Sequence, residues 1–266
     1  MSLPISGFII AKNEEINIAR AVKSLKNIVD DLYVIDSGSQ DKTVEIAESL
    51  GVKVIFNEWP GYTQQKAFGE QLCKHKWILN IDADEEISKE LQDEIEYIFT
   101  SKQQDRYKAY RINTLIIHRN EDKIRRFAPC NPVVRLYNID YASFASNNAS
   151  THDSVVLKTG VDPEKDVYSL TAPAYHRSGT SIDQLVAKAN FYSAEQAKDM
   201  LAKGRCPSQM RVISEFFFWF FKAFFIRRYF VFGFDGFVDS MIFAFARFLR
   251  LAKAREKFMQ QKRKDK

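Results

Sequence analysis

The chain has 266 residues, of which 45% are apolar and 27% charged, so it can bury a real core and is not a disordered chain. Its net charge of +5 hides a polarity: residues 1–200 carry −5, while residues 201–266 carry +10 from 15 Lys/Arg against 5 Asp/Glu. Three scattered cysteines, Cys73, Cys130 and Cys206, exclude a disulfide framework or zinc-finger spacing and fit a reducing compartment.

Taken in order, the first hundred residues predict repeated strand–helix units. Ile5 to Ala11 reads as a strand, and Asn13 to Leu25 follows with helical spacing at Ile16, Ala19, Val22 and Leu25. No secretory signal is expected, because Lys12 and the acids after it follow a short apolar run with no small-residue cleavage pattern. Leu32 to Ile35 is a second strand ending at Asp36-Ser37-Gly38-Ser39, and a helix from Asp41 ends at Gly51, where a left-handed residue is favoured. Val52 to Phe56 and Trp77 to Ile81 are the next strands, with a helix over Thr63–Lys74 between them. Ser88 is the expected cap of a helix carrying Leu91, Ile95, Ile98 and Phe99.

Short apolar strands alternating with amphipathic helices predict an α/β fold with a mixed, mostly parallel sheet flanked by helices. Such sheets bind ligands beyond the carboxyl ends of their strands. Three polar clusters fall just there: Asn13–Glu15, Asp36–Ser39 and Asp82–Glu86. From Tyr107 the pattern loosens, with strands expected at Tyr110–Ile117, Val133–Tyr137 and Ser154–Leu157. From Ile182 onward the chain reads as helical. The expected organisation is a first half over 1–106, a second half of the same domain over 107–181, and a helical, basic and aromatic extension over 182–266.

Asp82-Ala83-Asp84 is the sharpest chemical feature. Two carboxylates two residues apart at a strand end can share a hard divalent cation such as Mg²⁺ or Mn²⁺ and a ribose hydroxyl. Asp36 and Glu14 admit two readings each: acceptors for a nucleoside, or turn and cap formers. Dinucleotide-binding, P-loop and nucleophile-elbow motifs are all absent from the sequence.

The stretches FIIAKNEE (Phe8–Glu15), VIDSGSQDKTVEIAESLG (Val34–Gly51), EWPGYTQQKAFG (Glu58–Gly69) and ILNIDADEEIS (Ile78–Ser88) resemble family 2 glycosyltransferases of the GT-A fold. They are most similar to the subgroup containing the β-1,4-glucosyltransferases of the lipopolysaccharide inner core. Looser matches follow at VVRLYN, THDSV, AYHRSGTS and FGFDGF. The resemblance implies an inverting transfer of a hexose, glucose in that subgroup, from a UDP-sugar to a hydroxyl of a membrane-bound glycan such as lipopolysaccharide core. It places Ala11, Glu14, Asp36, Lys66, Asp82 and Ala83 around the donor nucleotide, and Asp84 with Asp82 on the divalent metal. Inversion needs a base on the acceptor side. Asp153 is the expected base, with His152 and a carboxylate of the Asp84–Glu86 run as its rivals. The subgroup has His-Glu where this chain has His152-Asp153. Arg135 and His176 are expected toward the acceptor.

Two other classes stay open on the residues alone. One is a non-catalytic nucleotide-sugar-binding or scaffold protein on the same fold. The other is a nucleotidyltransferase, which the lack of a Gly-rich triphosphate loop disfavours. No nucleic-acid module is present to suggest such a partner. The aromatic segment from Phe216 to Phe248, interrupted by Lys222, Arg227, Arg228, Asp235 and Asp239, reads as an interfacial surface for anionic membrane, with 216–266 as the contact, as a hydrophobic substrate groove, or as packing against the α/β body or a partner subunit. The expected location is cytoplasmic, peripheral on the inner face of the cell membrane.

Overall fold

A computed structural model describes residues 2–144, 154–177 and 181–264, which form two compact units. The first contains 1–116 and 130–177, and the second 117–129 and 178–266. The sequence reading kept 117–129 with the strands; the chain instead leaves the sheet there and returns to it at Cys130.

The sheet unit opens with β1 (Leu3–Ala11), α1 (Ile18–Lys26), β2 (Val29–Asp36), α2 (Thr43–Ser49), β3 (Lys53–Phe56), α3 (Tyr62–Leu72) and β4 (Trp77–Asp82). β5 (Glu85–Ile87), α4 (Lys89–Thr100), β6 (Ala109–Ile116), β7 (Cys130–Asn138), β8 (Ala142–Ser143), β9 (Val156–Leu157) and β10 (Val167–His176) follow. Among the described residues the main sheet has the order β3-β2-β1-β4-β7-β6-β10-β5. β1 runs parallel to β2 and β4, and β2 to β3, whereas β7 is antiparallel to both β4 and β6. This is the mixed, mostly parallel sheet that the strand–helix alternation predicts.

β1 is buried almost throughout because both faces of the sheet are covered. Its alternate residues enter different cores. Ile5, Ile9 and Ala11 join Ile18, Val22 and Leu25 of α1 and Leu91, Ile95 and Phe99 of α4. Phe8 and Ile10 join Tyr33, Ile35, Ile78 and Tyr137, with Ala67, Phe68 and Leu72 of α3 packed against them. α3 comes close to β1 at Gly69, where a Cβ would stand 2.5 Å from the Phe8 ring. The expected caps hold: Ser88 Oγ accepts from Leu91 N at 3.1 Å, and Gly51 adopts φ +73° just past α2. β5 and β10 carry no periodic signal of their own. β5 is three residues long, and β10 holds Pro173 and mixed burial.

The helical unit contains α5 (Ile182–Ala202), α6 (Gln209–Phe221), a π-turn at Lys222–Ile226, a 3₁₀ turn at Tyr229–Phe232 and α7 (Gly233–Lys264). Ser181 and Ser208 cap α5 and α6 by accepting from Gln184 N and Arg211 N. α5 packs against α7 on small buried residues, Ala189, Ser193 and Ala197 on one side and Ala244 and Ala254 on the other. The 117–129 segment is pinned to α7: Arg119 Nη1 donates to Asp239 Oδ1 and Oδ2 at 2.7 and 2.9 Å, and His118 Nε2 lies 3.2 Å from Asp239. Gly236 packs so tightly under the 3₁₀ turn that a Cβ would lie 1.9 Å from the Tyr229 carbonyl oxygen.

Candidate active site

The sheet register brings three chain segments to one rim. Ala11 at the end of β1 is paired with Asp36 at the end of β2, and Ile10 with Asp82 at the end of β4. Asp36 and Asp82 therefore flank β1 two strand spacings apart, about 10 Å. The predicted donor residues Ala11, Asp36, Asp82, Ala83 and Asp84 stand at these strand ends, with Glu14 in the loop after β1.

The first two loops are sewn together by local polar chemistry. Asn13, with φ +56°, donates its N–H to Ser39 Oγ, and its Oδ1 accepts from Gln40 N. Glu14 N donates to Thr43 Oγ1 at 2.7 Å, and Glu15 N to Asp41 Oδ2 at 3.1 Å. The Glu14 carboxylate accepts from Asn17 Nδ2. Asp36 accepts from Gly38 N and from Ser39 N and Oγ, so its buried carboxylate organises the turn that carries it. Buried Gln65 of α3 joins the ends of β2 and β3, donating to Ser37 Oγ and accepting from Asn57 Nδ2. Thr43 and Gln65 are not singled out from sequence, where Ser39 is named only within the Asp36–Ser39 cluster and Asp41 only as a helix start. Asp41 and Thr43 carry only an ordinary helix-start signal.

Asp82 sits between two cations. Lys66 Nζ, buried on α3, is 2.8 Å from Oδ1, and Arg135 Nη2 of β7 is 2.6 Å from Oδ2. The same Arg135 nitrogen is 2.6 Å from Glu85 Oε1, its Nη1 donates to Asn80 Oδ1, and Glu85 Oε2 accepts from Asp82 N. Burial opposes the charge on Asp82, but Arg135 and then Lys66 outweigh it and hold the carboxyl well below the usual range. Burial pushes Glu85 up, against the pull of Arg135. Arg135 is thus enclosed by the acids of the β4–β5 turn. From sequence the Asp84–Glu86 run is only a rival source of the catalytic base, and Glu85 is not singled out within it. Its only sequence signal is that it alternates with Ile87 on a short strand.

Asp84 is placed differently. β5 pairs antiparallel with β10, so that His176 stands opposite Glu85, and His176 Nε2 comes to 3.2 Å from Asp84 Oδ2. Burial disfavours the imidazolium, but the charge and hydrogen bond of Asp84, with Glu85 and Asp82 behind it, raise His176 to about 9. The neighbouring Arg177 Nε reaches Glu86 at 3.4 Å. His152 and Asp153 lie outside the described residues. The chain leading to them is anchored by buried Glu70, which accepts from Tyr137 Oη at 2.6 Å and from Phe144 N at 3.0 Å.

At the amino ends of the strands, Asp30, Asp31 and His75 bring ligand-type atoms within 4.8 Å of one another. Lys26, Lys53 and Lys74 line the same hollow, which opposes a further cation there.

A mixed sheet with helices on both faces and paired carboxylates at its carboxyl rim defines a GT-A-type α/β protein. Residues 6–130 match the family model for glycosyl transferase family 2. A Rickettsia bellii protein named as an uncharacterized glycosyltransferase is 65% identical, covering 96% of this chain and 87% of its own length. The lipopolysaccharide core biosynthesis glycosyltransferase LpsC of Rhizobium meliloti is 26% identical, covering 94% and 92%. Among solved structures, a glucosyl-3-phosphoglycerate synthase from Mycobacterium tuberculosis aligns with TM-score 0.46 and 14% identity over 78% of this chain and 82% of that one. The chain belongs to glycosyl transferase family 2 and is a glycosyltransferase.

Proposed function

We infer that the chain transfers a hexose from a UDP-sugar to a hydroxyl of a membrane-bound glycan of the lipopolysaccharide-core type, with inversion at the anomeric carbon. The observation that carries the donor half is the meeting of Asp36 at the end of β2 with Asp82 and Asp84 at the end of β4 on one rim. LpsC, similar along nearly its whole length, supports the acceptor class.

The roles divide by what each side chain already touches. Glu14, Asp36 and the loop at Ala11 frame the nucleoside side. Asp82, held between Lys66 and Arg135, has both oxygens engaged, so it positions the turn and offers Lys66 as the nearest cation to a phosphate. Asp84 keeps 17% of its side chain in solvent, and its carboxylate suits Mn²⁺ or Mg²⁺; the His176 imidazole beside it could join only for Mn²⁺ and only after giving up its proton. Asp84, with His176 adjacent, would hold the cation, and Asp82 would join it only by releasing Lys66 or Arg135. When bound, the cation supplies positive charge for the departing diphosphate. His176 orients the Asp84 carboxylate, and Asp153 or His152 takes the acceptor proton while the hydroxyl attacks from the opposite face. The free thiols Cys73, Cys130 and Cys206 suit a reducing compartment, so the reaction is assigned to the cytoplasmic face of the cell membrane.

The experiment is a screen of nucleotide sugars for Mn²⁺-dependent release of the nucleoside diphosphate, with and without lipopolysaccharide core acceptor. UDP release from a UDP-hexose, accelerated by the acceptor and absent in Asp84→Ala, is the expected result. Release only from another nucleotide's sugars would overturn the donor assignment.

A further inference from the structure

The helical unit leaves an unusual surface uncovered. No residue of α6 is buried, although nine of its thirteen residues are apolar. Met210, Ile213, Phe217, Phe221 and Phe225 recur every three or four residues, so they form one stripe that continues through the π-turn. Each is at least half exposed. Ile226, Phe230 and Phe234 extend the stripe across the 3₁₀ turn into α7, and Phe234 is 78% exposed. Rings left in water at this density mark a contact surface rather than ordinary surface apolarity.

The charges around the stripe choose its occupant. Lys222, Arg227 and Arg228 lie within it, and Arg227 and Arg228 are exposed. The acids between Gln209 and Ser240 are Glu215, Asp235 and Asp239, and each is already engaged. Glu215 accepts from Arg250 and Trp219, Asp235 from Asn120, and Asp239 from Arg119. The surface is therefore apolar and cationic. Two copies meeting through it would oppose like charges. A bilayer with anionic headgroups meets both demands, taking the rings at the acyl boundary and the cations at the phosphates. Trp219 lies on the other side of α6, toward α7, where it donates to Glu215 and carries Lys222 Nζ and the Arg247 guanidinium 4.5 and 4.3 Å from its ring.

We propose that the stripe from Met210 through Phe234 is a monotopic membrane-docking surface for an anionic bilayer. Tyr229–Arg263 is long and apolar enough to cross a membrane by length and composition alone. It lies in the interface instead, because the buried Asp239–Arg119–His118 cluster and the ion pair of Arg250 with Glu215 place charged pairs along α7. The proposal stands on the helical unit alone and does not depend on the transferase chemistry.

The test sediments the full-length chain, without donor, with phosphatidylcholine vesicles or vesicles containing about one third phosphatidylglycerol, at about 0.05 and 0.5 M salt. Binding to the anionic vesicles should weaken with salt and be released by carbonate. Arg227→Gln with Arg228→Gln should weaken it roughly fivefold per cation removed. Phe217→Ser with Phe221→Ser and Phe225→Ser should abolish it, with the circular dichroism spectrum unchanged and the thermal midpoint lowered only slightly, because these half-exposed rings meet the aromatic cluster only at its edge, on Phe216 and Phe224. Equal binding to neutral vesicles at both salts, or carbonate resistance, would overturn the proposal. So would self-association without vesicle binding that the Phe triple variant removes.

Discussion

At the carboxyl rim of the sheet, charges are buried and paired, whereas in the helical unit rings stand in solvent and the surface acids are engaged elsewhere. Asp82, Arg135, Glu85 and Lys66 are closed in on one another. Phe217, Phe221 and Phe225 touch water over half their area or more. Each arrangement is costly in isolation: buried charges lose hydration, and exposed rings order water. The sheet unit meets its cost internally, so its rim is pre-organised before any ligand arrives. The helical unit leaves its cost unmet, a cost that the proposed bilayer contact would offset.

The comparison is broken most severely at Arg135. Arg135→Ala leaves buried Glu85 without its cation and half-buried Asp82 with Lys66 alone, and should cost about 3 kcal/mol, measured by urea denaturation. A loss under about 1 kcal/mol would mean that the rim is wetter than its burial implies.

The pairing of His176 with Asp84 gives a pH signature in metal-free protein. His176 is raised to about 9 in the folded chain from an ordinary 6.5. Its contribution is therefore fully present below pH 6.5 and lost as pH rises through about 9. The loss should be of order 1–3 kcal/mol, reduced by the 29% of its side chain in solvent. Stability measured at pH 6 and pH 9.5 in wild type and His176→Gln checks this, and the variant should lose most of the slope.

Tight backbone packing sets the next effect. Gly236→Ala drives a methyl into the Tyr229 carbonyl and should destabilise the helical unit by about 1–3 kcal/mol. Thermal unfolding followed by the helical circular dichroism signal reports it. The smallest expected effect sharpens the contrast. Phe217→Ser should change stability by no more than about 0.5 kcal/mol in the absence of membrane, as at other uncovered surface positions.

Much of the sheet was legible because its signals are local. Apolar runs marked β1, β2 and β4, Ser88 and Gly51 marked helix ends, and the polar clusters after the strands marked the rim. What the sequence hid depends on long-range pairing. β10 has no clean alternation, so nothing announced that His176 would be carried to Asp84 across ninety-two positions. Arg135 was expected toward the acceptor, but the antiparallel return of β7 beside β4 turns it onto Asp82 and Glu85. Asp36 kept both of its readings in sequence; its hydrogen bonds to Gly38 and Ser39 show that it shapes the turn, which leaves the nucleoside role to be tested. The excursion of 117–129 to the helical unit has no compositional mark, since basic hairpins on sheets look alike.

The central claim is that the carboxyl rim receives a nucleoside diphosphate with a divalent cation on Asp84. Thermal unfolding of the wild type and Asp84→Ala, with UDP and Mn²⁺ together and separately, tests it most directly. Wild type should gain about 2.7 kcal/mol at a hundredfold excess over Kd, with UDP and Mn²⁺ reinforcing each other, and Asp84→Ala should gain almost nothing from the pair. An equal gain in both proteins, or none in either with any nucleoside diphosphate, would contradict the account.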